Sequence, residues 1–323
     1  MRMCDAEATH AALPWDRLIA ALQQLFAQGC EVPPRHVHEV PVPGGEPFTS
    51  LIMPAWIPGR YYGIKTINIA PGNARRGLPG LHASYLLCDG TTGAPLAVID
   101  GDAITQRRTA AASALAGRWL ARKQAKHLLV VGAGRIAAML PHAWRAVRPI
   151  ETVSVWARSP AQAQALAAKW RREGLPARAV DDLRSACGEA DIVSCATLAT
   201  EPVVHGAWLR PGTHLDLIGS FTPAMREADD ACFAGASLWL DTEEALGKSG
   251  DLLGPMSRGV FRPQDVRGTL ASLARGESPG RASDSGRTVF KSVGTALEDL
   301  AAAILVVESG APPAGDAVRA PRR

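Results

Sequence analysis

One stretch of this chain limits its fold more than any other: residues 127–140, HLLVVGAGRIAAML, in which a short apolar run meets a glycine-rich turn and opens a helix. Gly132, Gly134 and Ala137 fit the G-x-G-x-x-G/A spacing, with Arg135 and Ile136 inside it. Each small residue meets a physical demand. Gly132 admits a tight turn, Gly134 lets the backbone approach a pyrophosphate at the positive end of a helix, and Ala137 lets that helix pack closely on the strand. An ordinary strand–glycine turn is the competing reading, because the spacing alone is common. The surroundings favour the dinucleotide site, since the motif starts an alternation of strand and helix.

That alternation gives strand candidates at 127–131, 152–156, 191–196, 213–218 and 237–240, separated by helical or loop segments. Such a series predicts a Rossmann-type doubly wound parallel sheet over 123–289. The texture before it differs. Leu18, Leu22, Leu25 and Phe26 share one face of a helix that stops at Gly29, and then HVHEVPV, SLIMPAW, GIKTINI, ASYLLCD and PLAVID read as a mostly antiparallel sheet. Alanine-rich helical sequence from Thr105 leads to a boundary near Arg122. After the polar loop RGESPGRASDSGRT, the segment VFKSVGTALEDLAAAILVVE carries apolar residues at helical spacing, and we expect it to return to the first domain. The expected division is therefore 1–122 with 290–309 as an α+β substrate and dimerisation domain, 123–289 as the nucleotide domain, and 310–323 as a disordered tail.

A chain of 323 residues, 47% apolar and 20% charged, can bury such cores. Its net charge of +4 is spread among acids, so no footprint for nucleic acid is evident. Six cysteines without a CxxC pair or a metal-like spacing with histidine read as reduced structural thiols, and no metal is expected. No apolar run approaches the ~20 residues of a membrane helix, and residues 1–15 lack a signal-peptide core, so a cytoplasmic protein is expected.

Three groups carry candidate chemistry. At the end of the second nucleotide-domain strand, VSVWARSP holds Arg158 and Ser159 where an acid would bind the ribose 2′-hydroxyl of NAD. Arginine's fork and a serine hydroxyl suit a 2′-phosphate, so NADPH is the expected cofactor and NADH a weaker one; a solvated arginine is the alternative. Lys65 sits inside a strand, and Arg107 and Arg108 are placed at a helix start, where cations oppose the macrodipole unless an anionic ligand is near. Taken alone, all three could be surface charges.

Taken together, MPA, GIKTIN, DGDAIT followed by RRTAAASA, VVGAGRIA, IGSFTPAMRE and VFKSVGTALEDLAAA resemble, in this order, the ornithine cyclodeaminase/mu-crystallin family, from about Arg35 to Glu308. The resemblance implies that Lys65 is the catalytic lysine, that Arg108 with Arg35 holds the substrate carboxylate, and that His82 lies on the substrate-side strand. It further implies that Thr109 and Thr197 lie near the cofactor's phosphates and nicotinamide end, and that the protein is a homodimer. In the cyclodeaminases the loop of LDLIGSFTPAMREAD carries an aspartate; here Phe221 stands in its place and cannot exchange protons. Asp216, nearby, belongs to the preceding strand. The loop and Arg158 instead resemble the ketimine reductase branch, which reduces Δ1-pyrroline-2-carboxylate and Δ1-piperideine-2-carboxylate, with Phe221 packing against the ring. Another NAD(P)-dependent amino acid dehydrogenase, an ornithine cyclodeaminase, or a mu-crystallin-like protein that binds NADPH and a ligand without turnover are the alternatives. Lys291 and Asp299 read as structural, the first bracing the last helix and the second satisfying a local bond.

Overall fold

A computed structural model describes residues 1–310, so all of the expected disordered tail except Gly310 lies outside the described residues. The chain forms two units: one contains 1–21, 29–108 and the chain from Ala296, the other 22–28 and 109–295.

The first unit is a six-stranded sheet with helices. Strands β1 (Arg2–Cys4), β2 (His36–Val40), β3 (Phe48–Ile57), β4 (Tyr61–Ile69), β5 (Leu81–Asp89) and β6 (Pro95–Asp100) lie in the order β1-β6-β5-β4-β3-β2. Only β1, which pairs with β6, runs parallel to its neighbour. Period-two alternation sorts the side chains. Met53, Lys65, Tyr85 and Ile99 stand opposite one another on four neighbouring strands and are all buried. The residues between them, among them Ile52, Trp56, Tyr62, Ile64, Leu86 and Val98, take the other face and are only half-buried. Helix α1 (Ala6–Ala12) packs on β1 and β6. Helix α2 (Trp15–Gln28) buries Leu18, Leu22, Leu25 and Phe26 as its periodicity requires, and it stops at Gly29, whose φ of 79° is the left-handed turn favoured by glycine.

Helix α3 (Gly101–Leu120) begins four residues before the alanine-rich stretch, because the Asp100 carboxylate accepts from the Ala103 N–H at 2.8 Å and caps it. Arg107 and Arg108 consequently lie two turns inside the helix, not at its start, and the argument from an opposed macrodipole does not apply to them. The change from one unit to the other falls within this helix, between Arg108 and Thr109, not near Arg122.

The second unit is an eight-stranded, wholly parallel sheet of β7 (His127–Val131), β8 (Thr152–Trp156), β9 (Ala177–Ala179), β10 (Ile192–Cys195), β11 (His214–Leu217), β12 (Ser237–Leu240), β13 (Gly268–Thr269) and β14 (Thr288–Lys291). The order is β13-β12-β14-β11-β10-β7-β8-β9, doubly wound from β7 as the strand–helix alternation predicts. Helices α4 (Arg135–Arg145), α5 (Pro160–Arg172) and α6 (Leu183–Glu189) follow β7, β8 and β9. β14 corrects the expectation for VFKSVG. Thr288–Lys291 form a buried strand between β11 and β12, Ser292–Thr295 are a connection, and the last helix, Ala296–Glu308, begins only after Thr295. That helix packs on β3, β4, β5 and β6 of the first unit. No helix among the described residues is long and apolar enough to cross a membrane.

Candidate active site

In the first unit the fold buries two cations and two acids together. Lys65 projects from β4 toward the face covered by the last helix, and its Nζ donates to Thr105 Oγ1 at 2.5 Å and to Asp299 Oδ1 at 2.9 Å. Arg108, from α3, donates through Nε to the same Asp299 oxygen at 3.0 Å and through a terminal nitrogen to Glu298 Oε2 at 2.6 Å. Lys65, Glu298 and Asp299 are fully buried and Arg108 nearly so. Two positive and two negative charges balance, which is the condition for burying any of them at tolerable cost.

Burial lowers the Lys65 pKa, Asp299 partly restores it, and the Arg108 charge lowers it again. Burial favours the neutral form of Asp299, but Arg108 and Lys65 outweigh it and hold the carboxyl below its ordinary value. A lysine of reduced basicity whose ammonium spends two of its three N–H donors here keeps one for another acceptor. Arg108 likewise keeps three of five. Asp299 Oδ2 and the Tyr85 hydroxyl, both buried, have no hydrogen-bond partner among the described residues. The Tyr85 ring end occupies the space above Gly63, where a Cβ would come within 2.0 Å of the hydroxyl, so β4 needs glycine at that point.

The other substrate-side candidates divide. Arg35 is half-buried just before β2, between the His36–Ile52 pair and the Glu31–Trp56 bridge, which is offset from that register by one residue. His82 does not join the row of Lys65. It lies three residues before Tyr85 on β5, which places it on the opposite face, exposed, in register with Asn68. Arg107 stacks on Trp15, 4.4 Å from the ring centre, and donates to His10, so it is a packing residue.

In the second unit Gly132 has φ of 120°, and a Cβ there would meet Ala196 O at 2.5 Å; only glycine fits. Ala137 is buried on the sheet side of α4. Gly134 caps α4 without a side chain, and a Cβ built on it meets nothing within 4 Å, so the helix's first N–H groups face open space with Arg135 exposed and Ile136 half-buried beside them. A pyrophosphate fits this cradle. Past β8, Arg158 is exposed and makes no hydrogen bond or ion pair among the described residues, and Ser159 caps α5 by position while its hydroxyl makes no capping bond. The donors suited to a 2′-phosphate are therefore unengaged. Thr109, in α3, also makes no side-chain bond among the described residues.

In the loop after β11 no acid stands at Phe221, and the acid further along the loop is withdrawn into the fold. Phe221 is 47% exposed, while the loop's own acid, Glu227, is buried: it accepts from Thr197 N at 2.7 Å, Thr197 Oγ1 at 2.8 Å and Gly219 N at 2.6 Å. Thr197 thus donates both its backbone N–H and its hydroxyl proton to Glu227. Asp251 accepts from the N–H groups of Glu227 and Ala228, and Lys291 Nζ lies 3.4 Å from its other oxygen. Lys291 therefore steadies these acids and does not brace the last helix. Asp216 on β11 accepts from Ser113 and Ser194, and burial pushes its pKa up to about 7. No group of three or more histidines, cysteines or acids among the described residues is placed to hold a metal ion.

The family model of ornithine cyclodeaminase/mu-crystallin proteins matches residues 18–311. The chain belongs to this family. It is 44% identical over 295 residues to a Delta(1)-pyrroline-2-carboxylate reductase of Paracoccus denitrificans, an alignment covering 89% of this chain and 90% of the relative. Its fold matches that of the Thermococcus litoralis Delta(1)-pyrroline-2-carboxylate reductase in complex with NADH and L-proline, at a TM-score of 0.89 and 33% identity, over 96% of this chain and 97% of the other. An archaeal alanine dehydrogenase dimer with bound NAD is also similar, at a TM-score of 0.87, 29% identity and 96% of each chain.

Proposed function

We propose that the protein is an NADPH-preferring ketimine reductase that adds hydride to the C=N carbon of a cyclic 2-imino acid, Δ1-pyrroline-2-carboxylate or Δ1-piperideine-2-carboxylate, to give L-proline or L-pipecolate. The observation that carries this reading is the buried, charge-balanced cluster of Lys65, Asp299, Arg108 and Glu298. A protein that only stored an apolar ligand would gain nothing from it. The names of the reductases of Paracoccus and Thermococcus support the substrate class.

A nicotinamide dinucleotide held at the Gly132–Gly134 turn would supply the hydride. The remaining N–H donors of Arg108, helped by Arg35, pair with the substrate carboxylate and fix which ring face is presented. Lys65 uses its free N–H to deliver a proton to the imine nitrogen as the carbon is reduced, a task that its lowered basicity suits. Phe221 offers an apolar wall to a saturated ring and no acid–base group, which argues against ornithine as substrate. His82, on the other sheet face, has no part in this scheme.

NADPH is preferred on the strength of Arg158, Ser159 and the absence of an acid at the end of β8, although the structural relatives are complexed with NADH or NAD. The half-buried apolar sheet face of Ile52, Trp56, Tyr62, Ile64, Leu86 and Val98 supports a homodimer, in which two such faces cover each other. Six free cysteines fit the reducing cytosol. The test is NADPH absorbance with each cyclic imine, beside an ammonia assay with L-ornithine. Oxidation with an imine and no ammonia is the expected pair of results; ammonia from ornithine overturns the reading.

A further inference from the structure

We propose that Asp299 is a positioning residue that couples the proton donor to the carboxylate anchor: one of its oxygens is shared by Lys65 and Arg108, so neither cation can take its place without the other. The inference rests on the reductase reading for its kinetic consequences, but the geometry stands by itself. Oδ1 lies 2.9 Å from Lys65 Nζ and 3.0 Å from Arg108 Nε, in a site that is fully buried at Lys65 and Asp299. Three separate elements meet at this atom: β4, α3 and the last helix. Thr105 Oγ1, which donates to Gly101 O at 2.7 Å, must receive the second Lys65 N–H, so the ammonium is fixed at two of its three corners. Its third N–H then has a single direction left, and the carboxylate sets it.

The charged and titratable groups around Lys65 are few. Asp299 and Glu298 face it from the last helix, Arg108 from α3, and Tyr85 is its row neighbour on β5. Among these, Asp299 does most to keep the ammonium charged against burial, and Arg108 opposes it. Removing the Asp299 charge leaves Lys65 buried beside an arginine with one acid fewer. The lysine then loses its proton at lower pH. A residue that merely held the helix in place would have no such effect.

The experiment compares wild type, Asp299→Asn and Asp299→Glu. With the cyclic imines and saturating NADPH, Asp299→Asn should lose on the order of 10²-fold in kcat at pH 7.5, within the range typical of a lost general acid, with a smaller change in KM. The high-pH limb of its rate profile should move to lower pH, so that acidification recovers part of the activity. Asp299→Glu keeps the charge but displaces the shared oxygen; it should hold the limb near the wild-type position and still lose kcat, by about 10-fold. The 15N chemical shift of Lys65 Nζ, followed against pH by NMR of protein labelled with 15N-lysine, reports the same proton without turnover and needs no reagent to reach a buried amine. In Asp299→Asn its midpoint should fall.

An unmoved Lys65 titration midpoint in Asp299→Asn overturns the proposal, and so does wild-type kcat in Asp299→Glu. The latter variant decides the matter if Asp299→Asn does not fold. If wild type reduces no imine, the reductase reading fails while the Lys65 titration midpoint still tests Asp299. A shifted midpoint then upholds the coupling.

Discussion

Replacing Arg108 with lysine keeps a positive charge and removes the planar fork, so it separates charge from geometry. In the native cluster the guanidinium reaches two different acids at once, Asp299 at 3.0 Å and Glu298 at 2.6 Å. A lysine ammonium is a single point and, from the same backbone position, satisfies one of them. A hydrogen bond to a charged group contributes ~1.5–3 kcal/mol, and a buried carboxylate left without its partner costs more, so the variant should lose about 3 kcal/mol of stability. At about 2.1 cal/mol/K per residue, a chain of 323 residues that unfolds as one loses roughly 4–5 °C of melting temperature by this change. The same substitution misplaces the substrate carboxylate, and kcat/KM for the imine should fall by ~30–150-fold, or about 2–3 kcal/mol of transition-state binding. Calorimetry and initial rates measure the two effects, and NADPH affinity, titrated by fluorescence, should stay within a few-fold. An Arg108→Lys protein with wild-type melting temperature and kcat/KM would refute the reasoning, because it would show that neither acid nor substrate depends on the fork.

Arg158→Asp should reverse cofactor preference by about 1–3 kcal/mol, since it removes a charge-assisted donor for the 2′-phosphate and supplies an acceptor for a free 2′-hydroxyl; KM values for NADPH and NADH check it, and equal loss of both would make Arg158 structural. Gly132→Ala puts a methyl 2.5 Å from Ala196 O at a φ of 120°, so it should destabilise the protein by ~2 kcal/mol or more and weaken nucleotide binding, as melting and fluorescence titration would reveal. Asp216 gives a pH dependence of defined sign. Its carboxyl rises from 3.8 to about 7 in the folded chain, so the native state holds the proton more tightly and stability falls as pH climbs between about 4 and 7. At about 1.4 kcal/mol per pH unit this amounts to no more than ~4 kcal/mol. Asp216→Asn removes that slope, so melting curves of the variant should gain on wild type steadily from pH 4 to pH 7; a constant difference across the range would contradict the assignment.

Much of this architecture is legible in the amino acids because it rests on local periodicity. Leu18, Leu22, Leu25 and Phe26 fall on one helical face, β8 and β12 end where their apolar runs end, and Gly132 is demanded by a turn that any reader of the motif would draw. What is not legible is either short or distant. β1, β9 and β13 have two or three residues and no periodicity to detect. Thr288–Lys291, TVFK, is four residues with one apolar pair at its centre, too short for strand and helix to differ in pattern, and the clearly helical sequence that follows favours helix. The start of α3 depended on the Asp100 cap, which precedes the alanine-rich stretch by several residues.

The site divides the same way. Lys65 and Arg108 are singled out by the resemblance, yet nothing in their neighbourhoods says that they meet. Their common partner Asp299 is separated from them by 234 and 191 residues. The available signal was the pair Glu298–Asp299 inside an otherwise apolar helix, ALEDLAAAILVVE, because acids buried there need cations from elsewhere. His82 illustrates the opposite error. A residue on the right strand lies on the wrong face when it is an odd number of positions from the row that matters.

The central claim is that hydride reaches the C=N carbon of a cyclic imino acid, and isotope transfer tests it most directly. Wild-type protein is given NADPH deuterated on both sides of the nicotinamide C4 with Δ1-pyrroline-2-carboxylate, and the product is analysed by chiral chromatography and mass spectrometry. The account predicts L-proline carrying one deuterium at C2. Proline without deuterium, deuterium at another carbon, or neither proline from this imine nor pipecolate from the six-membered one would contradict it.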